Sequence, residues 1–230
     1  MFAVNNDKKQ VIDFDPRLQG PFTCLVAGPT GCGKTQLIFK LIDNVDQLIT
    51  PTVHNIVYCY GQWQNDFNKY SNKVTFHDGL IPREQLFPIN SQESSTQHTL
   101  LIIDDLLGKE DTSLVRDIFI KGSHHNNISV IFVTQNLFLP HKDYRTLSLN
   151  AHYLVIFKNP RDMSQINALA RQAFASKPAF LTAVYNRETS DRHSYLLLDF
   201  KQSTPESMRV RDSITTPWKT TVFVPTYKQK

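Results

Sequence analysis

Residues 28–35 constrain what this chain can fold into more than any other stretch. Gly28, Gly33, Lys34 and Thr35 fill every fixed position of the pattern G-x-x-x-x-G-K-[ST]. Residues 22–27 before them form a short apolar run. After them Leu37, Ile38, Leu41 and Ile42 recur at helical spacing. Strand, glycine-rich loop and helix in that order are the context in which this pattern has a mechanism. Glycines let the loop turn its N–H groups inward around a phosphate chain. The helix points its positive end at the same phosphates. Gly28, Pro29, Thr30, Gly31, Cys32, Gly33, Lys34 and Thr35 are therefore the expected cradle for the phosphates of ATP. Lys34 is expected to reach the β- and γ-phosphates, and the Thr35 hydroxyl to ligate Mg²⁺.

A second stretch supports the first. Residues 99–105 run through unbroken aliphatic positions into Asp104 and Asp105. A strand apolar on both faces is what the middle of a parallel sheet needs, and its carboxyl end is where such sheets bind ligands. Asp104 is the expected Mg²⁺ partner, through water, and Asp105 the group that polarises the attacking water. Residues 128–134 read as another buried strand, ending in Gln135, whose amide is placed to sense the γ-phosphate. Further strands are expected at 54–60, 152–157 and 195–200, with a minor one at 74–76. Helices are expected over 113–121, from Pro160 through a face of Ile166, Leu169, Ala170 and Ala173, and from Pro178 to about Arg187. The fold class is α/β, a P-loop NTPase whose mostly parallel central sheet is flanked by helices. The expected divisions are an N-terminal arm over 1–19, an ATPase domain over 20–200, and a polar, basic C-terminal tail or arm over 201–230.

Composition narrows the setting. At 230 residues with 40% hydrophobic and 20% charged residues, the chain is long enough for a buried core. The net charge of +4 permits a nucleic-acid partner without demanding one, because acids are interspersed with bases. Three sparse cysteines, one inside the glycine-rich loop, read as reduced, intracellular thiols. No apolar stretch is long enough to span a bilayer, so a soluble protein is expected. The paired His124 and His125 lack a carboxylate or cysteine at supporting spacing, which disfavours a metal site.

A predicted strand, 54–60, falls in sequence between Lys34 and Asp104. Among P-loop proteins, the hydrolysing class inserts a further strand between the two motif strands, and the Asp104–Asp105 pair with Gln135 points to that class. Taken in order, residues 28–35, 100–105, 121–127, 134–138 and 157–162 resemble the FtsK/HerA-type genome-packaging ATPases of double-stranded DNA viruses and Maverick/Polinton elements. Asp105 departs from the glutamate usual in hydrolysing relatives. The resemblance implies a RecA-like core, a pentameric or hexameric homo-oligomeric ring, ATP-driven movement of double-stranded DNA, and a capsid or portal-like partner. It implies work in the host cytoplasm or nucleus, with or without virion association. Ring ATPases complete the site with an arginine from the next subunit, and Arg116, Arg145 and Arg161 are the candidates here. Lys121, His124, His125 and Lys142 are candidates to touch DNA phosphates in the channel. The rival readings are a superfamily-3-like helicase, a nucleotide kinase, and a scaffold that binds nucleotide without hydrolysing it.

Overall fold

The computed structural model of the protein describes residues 14–86, 97–106, 115, 117–119, 127–138 and 147–225. In chain order the elements begin with β1 (Leu18–Gln19), β2 (Thr23–Ala27), α1 (Lys34–Asp43), α2 (Val45–Leu48), β3 (Ile49–Thr50) and β4 (Asn55–Tyr60). They continue with β5 (Thr75–Asp78), α3 (Arg83–Leu86), β6 (Thr99–Asp104) and β7 (Ile128–Thr134). The last are β8 (Tyr153–Phe157), α4 (Met163–Ala173), α5 (Pro178–Glu188), β9 (Tyr195–Asp199) and β10 (Val210–Arg211).

Among the described residues, eight strands form the central sheet in the order β10-β9-β8-β2-β7-β6-β4-β5. Every pairing from β8 to β5 is parallel, while β9 and β10 are antiparallel to their neighbours. The strand between β2 and β6 is β7, so the motif strands are separated as in the hydrolysing class. β2, β7 and β8 are buried along their whole length, because both faces are covered. On one face α1 lays Leu37, Ile38, Leu41 and Ile42 against Val26, Leu100, Ile102 and Val133. On the other, Ile166, Leu169 and Ala170 of α4 and Leu181, Val184 and Tyr185 of α5 cover Leu25, Ile103, Phe132 and Ile156. Each fully buried aliphatic side chain contributes about 1.5–3 kcal/mol, which outweighs the modest helix propensity of a ten-residue segment.

The structure refines several expectations. α4 starts at Met163, not in the turn at Pro160, because Asp162 is its N-cap and accepts from the Ser164 N–H. Ala173 lies exposed at the end of that helix, off the buried face. The minor strand expected at 74–76 is β5, an edge strand of the main sheet. Of the helix expected over 113–121, the described Val115, Ile118 and Phe119 are buried in the core beneath α4 and α5. The larger difference is at the C-terminus. Polar composition points to a solvated tail or an arm onto a neighbour, yet residues 201–225 fold back onto this chain's own sheet. β10 pairs with β9, and Arg211 is 0% exposed. Its guanidinium donates to Asp199 Oδ2 at 2.7 Å and to the Pro16 carbonyl at 2.6 Å. Lys201 donates to the carbonyls of Gln19 and Pro21. A basic stretch is thereby consumed internally, tying the described start of the chain to its end. Of the N-terminal arm expected over 1–19, residues 1–13 lie outside the described residues. Within the described part, β1 pairs with β3.

Candidate functional site

The site assembles at the carboxyl edge of the parallel strands. The register sets this directly: Ala27 of β2 aligns with Thr134 of β7, and Val133 aligns with Asp104 of β6. The glycine-rich loop, the acidic pair and Gln135 therefore leave adjacent strands at one level. The loop's entry is pinned by the Gly28 N–H donating to the Thr134 carbonyl at 3.2 Å, and the Asp105 N–H donates to the Val133 carbonyl at 3.3 Å.

The loop needs its glycines for two separate reasons. A Cβ on Gly28 would lie 2.6 Å from the Phe157 Cβ and 2.7 Å from the Cys32 sulfur. Gly33, the N-cap of α1, has φ 107°, where side chains are strained, and a Cβ there would lie 2.9 Å from His193 Nδ1. Lys34 begins α1, and its ammonium folds back to donate to the Gly28 carbonyl at 2.5 Å and the Pro29 carbonyl at 3.1 Å. Thr35 follows it, half-buried.

Asp104 faces α1, as Ile102 and Leu100 do two and four residues before it. It is 9% exposed, and its Oδ2 accepts from the Tyr58 hydroxyl at 2.6 Å. Burial pushes its carboxyl above the ordinary aspartate range. The Tyr58 hydrogen bond and the charge of Lys34 oppose that shift, and Asp105 adds to it. The charge of Lys34 thus reaches Asp104 across the mouth of the site. Asp105 is exposed and takes φ 52°, a left-handed conformation uncommon for aspartate. That turn swings it out of the strand direction. Gly61 leaves room for the turn, since a Cβ there would meet the Asp105 carbonyl oxygen at 3.2 Å.

Gln135 is exposed beside Gly28, in a small cleft that Asn159, Asp162 and Gln165 also line. Gln165 fixes the backbone after Gln135: its Oε1 accepts from the N–H groups of Leu137 at 2.7 Å and Phe138 at 3.0 Å, and its Nε2 donates to Asp162. Arg161 is exposed in the turn after β8, at the same edge of the sheet. Arg116, Arg145, Lys121, His124, His125 and Lys142 lie outside the described residues.

Sequence reasoning missed the supports. Tyr58 reads as one more aromatic in an apolar strand. Tyr185 accepts from the Asn159 N–H at 2.8 Å and donates to the Phe157 carbonyl at 3.0 Å, locking the end of β8 beside the loop. His193, at φ 63°, donates from Nδ1 to the Cys32 carbonyl at 3.1 Å.

The donor set suits Mg²⁺ in its usual manner, with one carboxylate, one hydroxyl, and substrate phosphates supplying the rest. Among the described residues no cluster of three or more His, Cys, Asp or Glu forms an all-protein metal cage.

Sheet order, glycine-rich loop and acidic strand end define a P-loop nucleoside triphosphatase of the α/β class. Residues 11–203 match the family model described as the Poxvirus A32 protein, and the chain belongs to that family. No curated protein matches the chain. Among solved structures, the genome packaging NTPase B204 of Sulfolobus turreted icosahedral virus 2 is similar in two forms. Its complex with ATP-gammaS shares 15% identity over 92% of this chain and 99% of that one, with a TM-score of 0.53. Its complex with sulfate shares 14% identity over 93% and 98%, with a TM-score of 0.52. The cytoplasmic domain of the Type VII secretion ATPase EccC of Thermomonospora curvata matches 80% of this chain and 24% of its own length, at 14% identity and a TM-score of 0.51. At these identities the structural likeness shows the fold, and the expected resemblance to packaging ATPases is borne out by the family match and these neighbours together. No described helix is long and apolar enough to cross a membrane.

Proposed function

We propose that this chain is a genome-packaging ATPase that hydrolyses ATP to move double-stranded DNA into a capsid, working as a homo-oligomeric ring. One observation carries the reading: β7, ending in Gln135, stands between the strand that feeds the glycine-rich loop and the strand that ends in Asp104. This is the arrangement of hydrolysing P-loop enzymes, in a chain of the A32 family.

The residues divide the work as follows. Loop N–H groups and the start of α1 hold the β- and γ-phosphates. Lys34 exchanges the carbonyls of Gly28 and Pro29 for phosphate oxygens, delivering its charge where the transition state spreads negative charge. Thr35 and Asp104 would hold Mg²⁺, which neutralises the β- and γ-oxygens when bound. Asp105, turned outward by its left-handed backbone, orients water for in-line attack. Gln135 contacts the γ-phosphate side and, through the backbone that Gln165 fixes, relays its presence towards α4. An arginine from the next subunit, with Arg161 the described candidate, completes the charge on the γ-phosphate. Basic groups in the ring's channel grip phosphates without reading bases, so DNA binding weakens steeply with salt.

The test is ATP turnover with and without duplex DNA. Wild-type protein is expected to hydrolyse ATP faster with duplex DNA, and Lys34→Ala to show no turnover. Turnover retained in Lys34→Ala would remove the loop from the chemistry. Turnover indifferent to DNA would detach hydrolysis from translocation.

A further inference from the structure

We propose that the Tyr58 hydroxyl is a positioning group for the metal–nucleotide site, holding the Asp104 carboxylate in the one orientation that serves Mg²⁺. The inference rests on the nucleotide-site reading above and adds a residue to it that no motif contains.

Tyr58 is 0% exposed, in the middle of β4. Its ring packs among Phe39, Phe67 and Phe76, with centroids 6.2, 5.1 and 5.5 Å away. Phenylalanine would make those same contacts, so packing does not account for the hydroxyl. A buried phenol carries a desolvation cost that only a partner removes. That partner is Asp104 Oδ2, at 2.6 Å. The pairing follows from parallel register. Tyr60 aligns with Asp104, so Tyr58 lies two residues back along the neighbouring strand on the same face. From there the long phenol reaches diagonally to the carboxylate.

The consequence is geometric. A carboxylate at a strand end rotates about its last bond, and either oxygen can present itself. With Oδ2 engaged by a donor from inside the sheet, Oδ1 is the oxygen left for the ion. A short hydrogen bond to a charged acceptor is among the stronger neutral-donor contacts. Because the donor sits on a sheet strand rather than a loop, its position is set by the core. Groups that orient a metal ligand typically govern metal affinity by about 10- to 100-fold.

The experiment compares Tyr58→Phe with Phe67→Leu. The second variant loosens the same aromatic cluster and leaves the hydroxyl in place. Mn²⁺ is titrated into each protein with ATPγS and followed by electron paramagnetic resonance, alongside thermal melting and the Mg²⁺ dependence of ATP turnover. Tyr58→Phe is expected to need about tenfold more Mn²⁺ for half-saturation, with a matching shift in the Mg²⁺ required for turnover. Its KM for ATP at saturating Mg²⁺ stays near the wild-type value. Phe67→Leu is expected to melt lower and bind Mn²⁺ like the wild type. An unshifted Mn²⁺ titration in Tyr58→Phe overturns the proposal, as does an equal shift in Phe67→Leu, which would make packing the cause. If the wild type with ATPγS takes up no Mn²⁺, the nucleotide-site reading itself falls and this proposal with it.

Discussion

Replacing Gly33 by alanine tests how tightly the phosphate loop is built. Gly33 caps α1 at φ 107°, ψ 12°. A non-glycine residue held in so sparsely populated a region costs about 1–3 kcal/mol. The added Cβ would also stand 2.9 Å from Nδ1 and 3.1 Å from Cβ of His193. The first distance is shorter than real Cβ contacts, and the second is tight against an atom close to the backbone, so His193 must shift. Its hydrogen bond to the Cys32 carbonyl, 3.1 Å long, would be lost, at about 0.5–1.5 kcal/mol. Together these give a destabilisation of about 1.5–4.5 kcal/mol. In a chain of this size each kcal/mol lowers the melting temperature by about 2–4 °C. Thermal unfolding of Gly33→Ala should therefore show a midpoint lowered by about 3–18 °C, together with weakened ATP binding. Adding His193→Ala removes the imidazole but leaves its Cβ, the lost hydrogen bond and the backbone strain in place, so the double variant should be no more than slightly more stable than Gly33→Ala. A Gly33→Ala protein as stable as the wild type would refute the reasoning. Full recovery in the double variant would show that the backbone angle is not the cause.

Four further outcomes are expected. Asp105→Asn should bind ATP normally yet hydrolyse it about 100-fold more slowly or worse, as loss of a water-orienting base does; near-normal single-turnover rates would reassign that role. Asp199→Ala should cost about 3–5 kcal/mol in chemical unfolding, because it strands the fully buried Arg211 without its counter-ion. His98 donates from Nδ1 to the Pro51 carbonyl, and its Nε2 accepts from the Ser129 hydroxyl, so burial holds its imidazole neutral and lowers its pKa below 6.5. The unfolded chain then binds the proton first, and the stability His98 contributes is present above pH 6.5 and lost as pH falls through the lowered value. A nuclear magnetic resonance titration placing His98 at or above 6.5 would contradict this. Gln165→Ala should leave the Leu137 and Phe138 N–H groups without their acceptor and cost about 1–3 kcal/mol, read by thermal melting.

The placement of the glycine-rich loop, the acidic strand end and Gln135 at strand ends was legible in the sequence because each depends on a local pattern. Glycines at fixed spacing and uninterrupted aliphatic runs survive translation into one dimension. Sheet order was half legible. Apolar runs marked β2, β6, β7 and β8, but only the three-dimensional pairing shows β7 lying between β2 and β6. The C-terminal stretch was misleading because polarity usually means solvent. Arg211 is polar and buried at once, and its burial depends on Asp199, twelve positions away. The supports of the site were invisible for a related reason. Tyr58, Tyr185 and His193 act through one or two hydrogen bonds each to groups distant in sequence. No periodicity encodes such contacts.

The most direct test of the account is a structure of the protein with ATPγS and Mg²⁺. The account predicts that the Lys34 ammonium leaves the carbonyls of Gly28 and Pro29 for the β- and γ-phosphates, with the ion between Thr35 and Asp104. A triphosphate bound elsewhere, with Lys34 still hydrogen-bonded to its own loop, would contradict it.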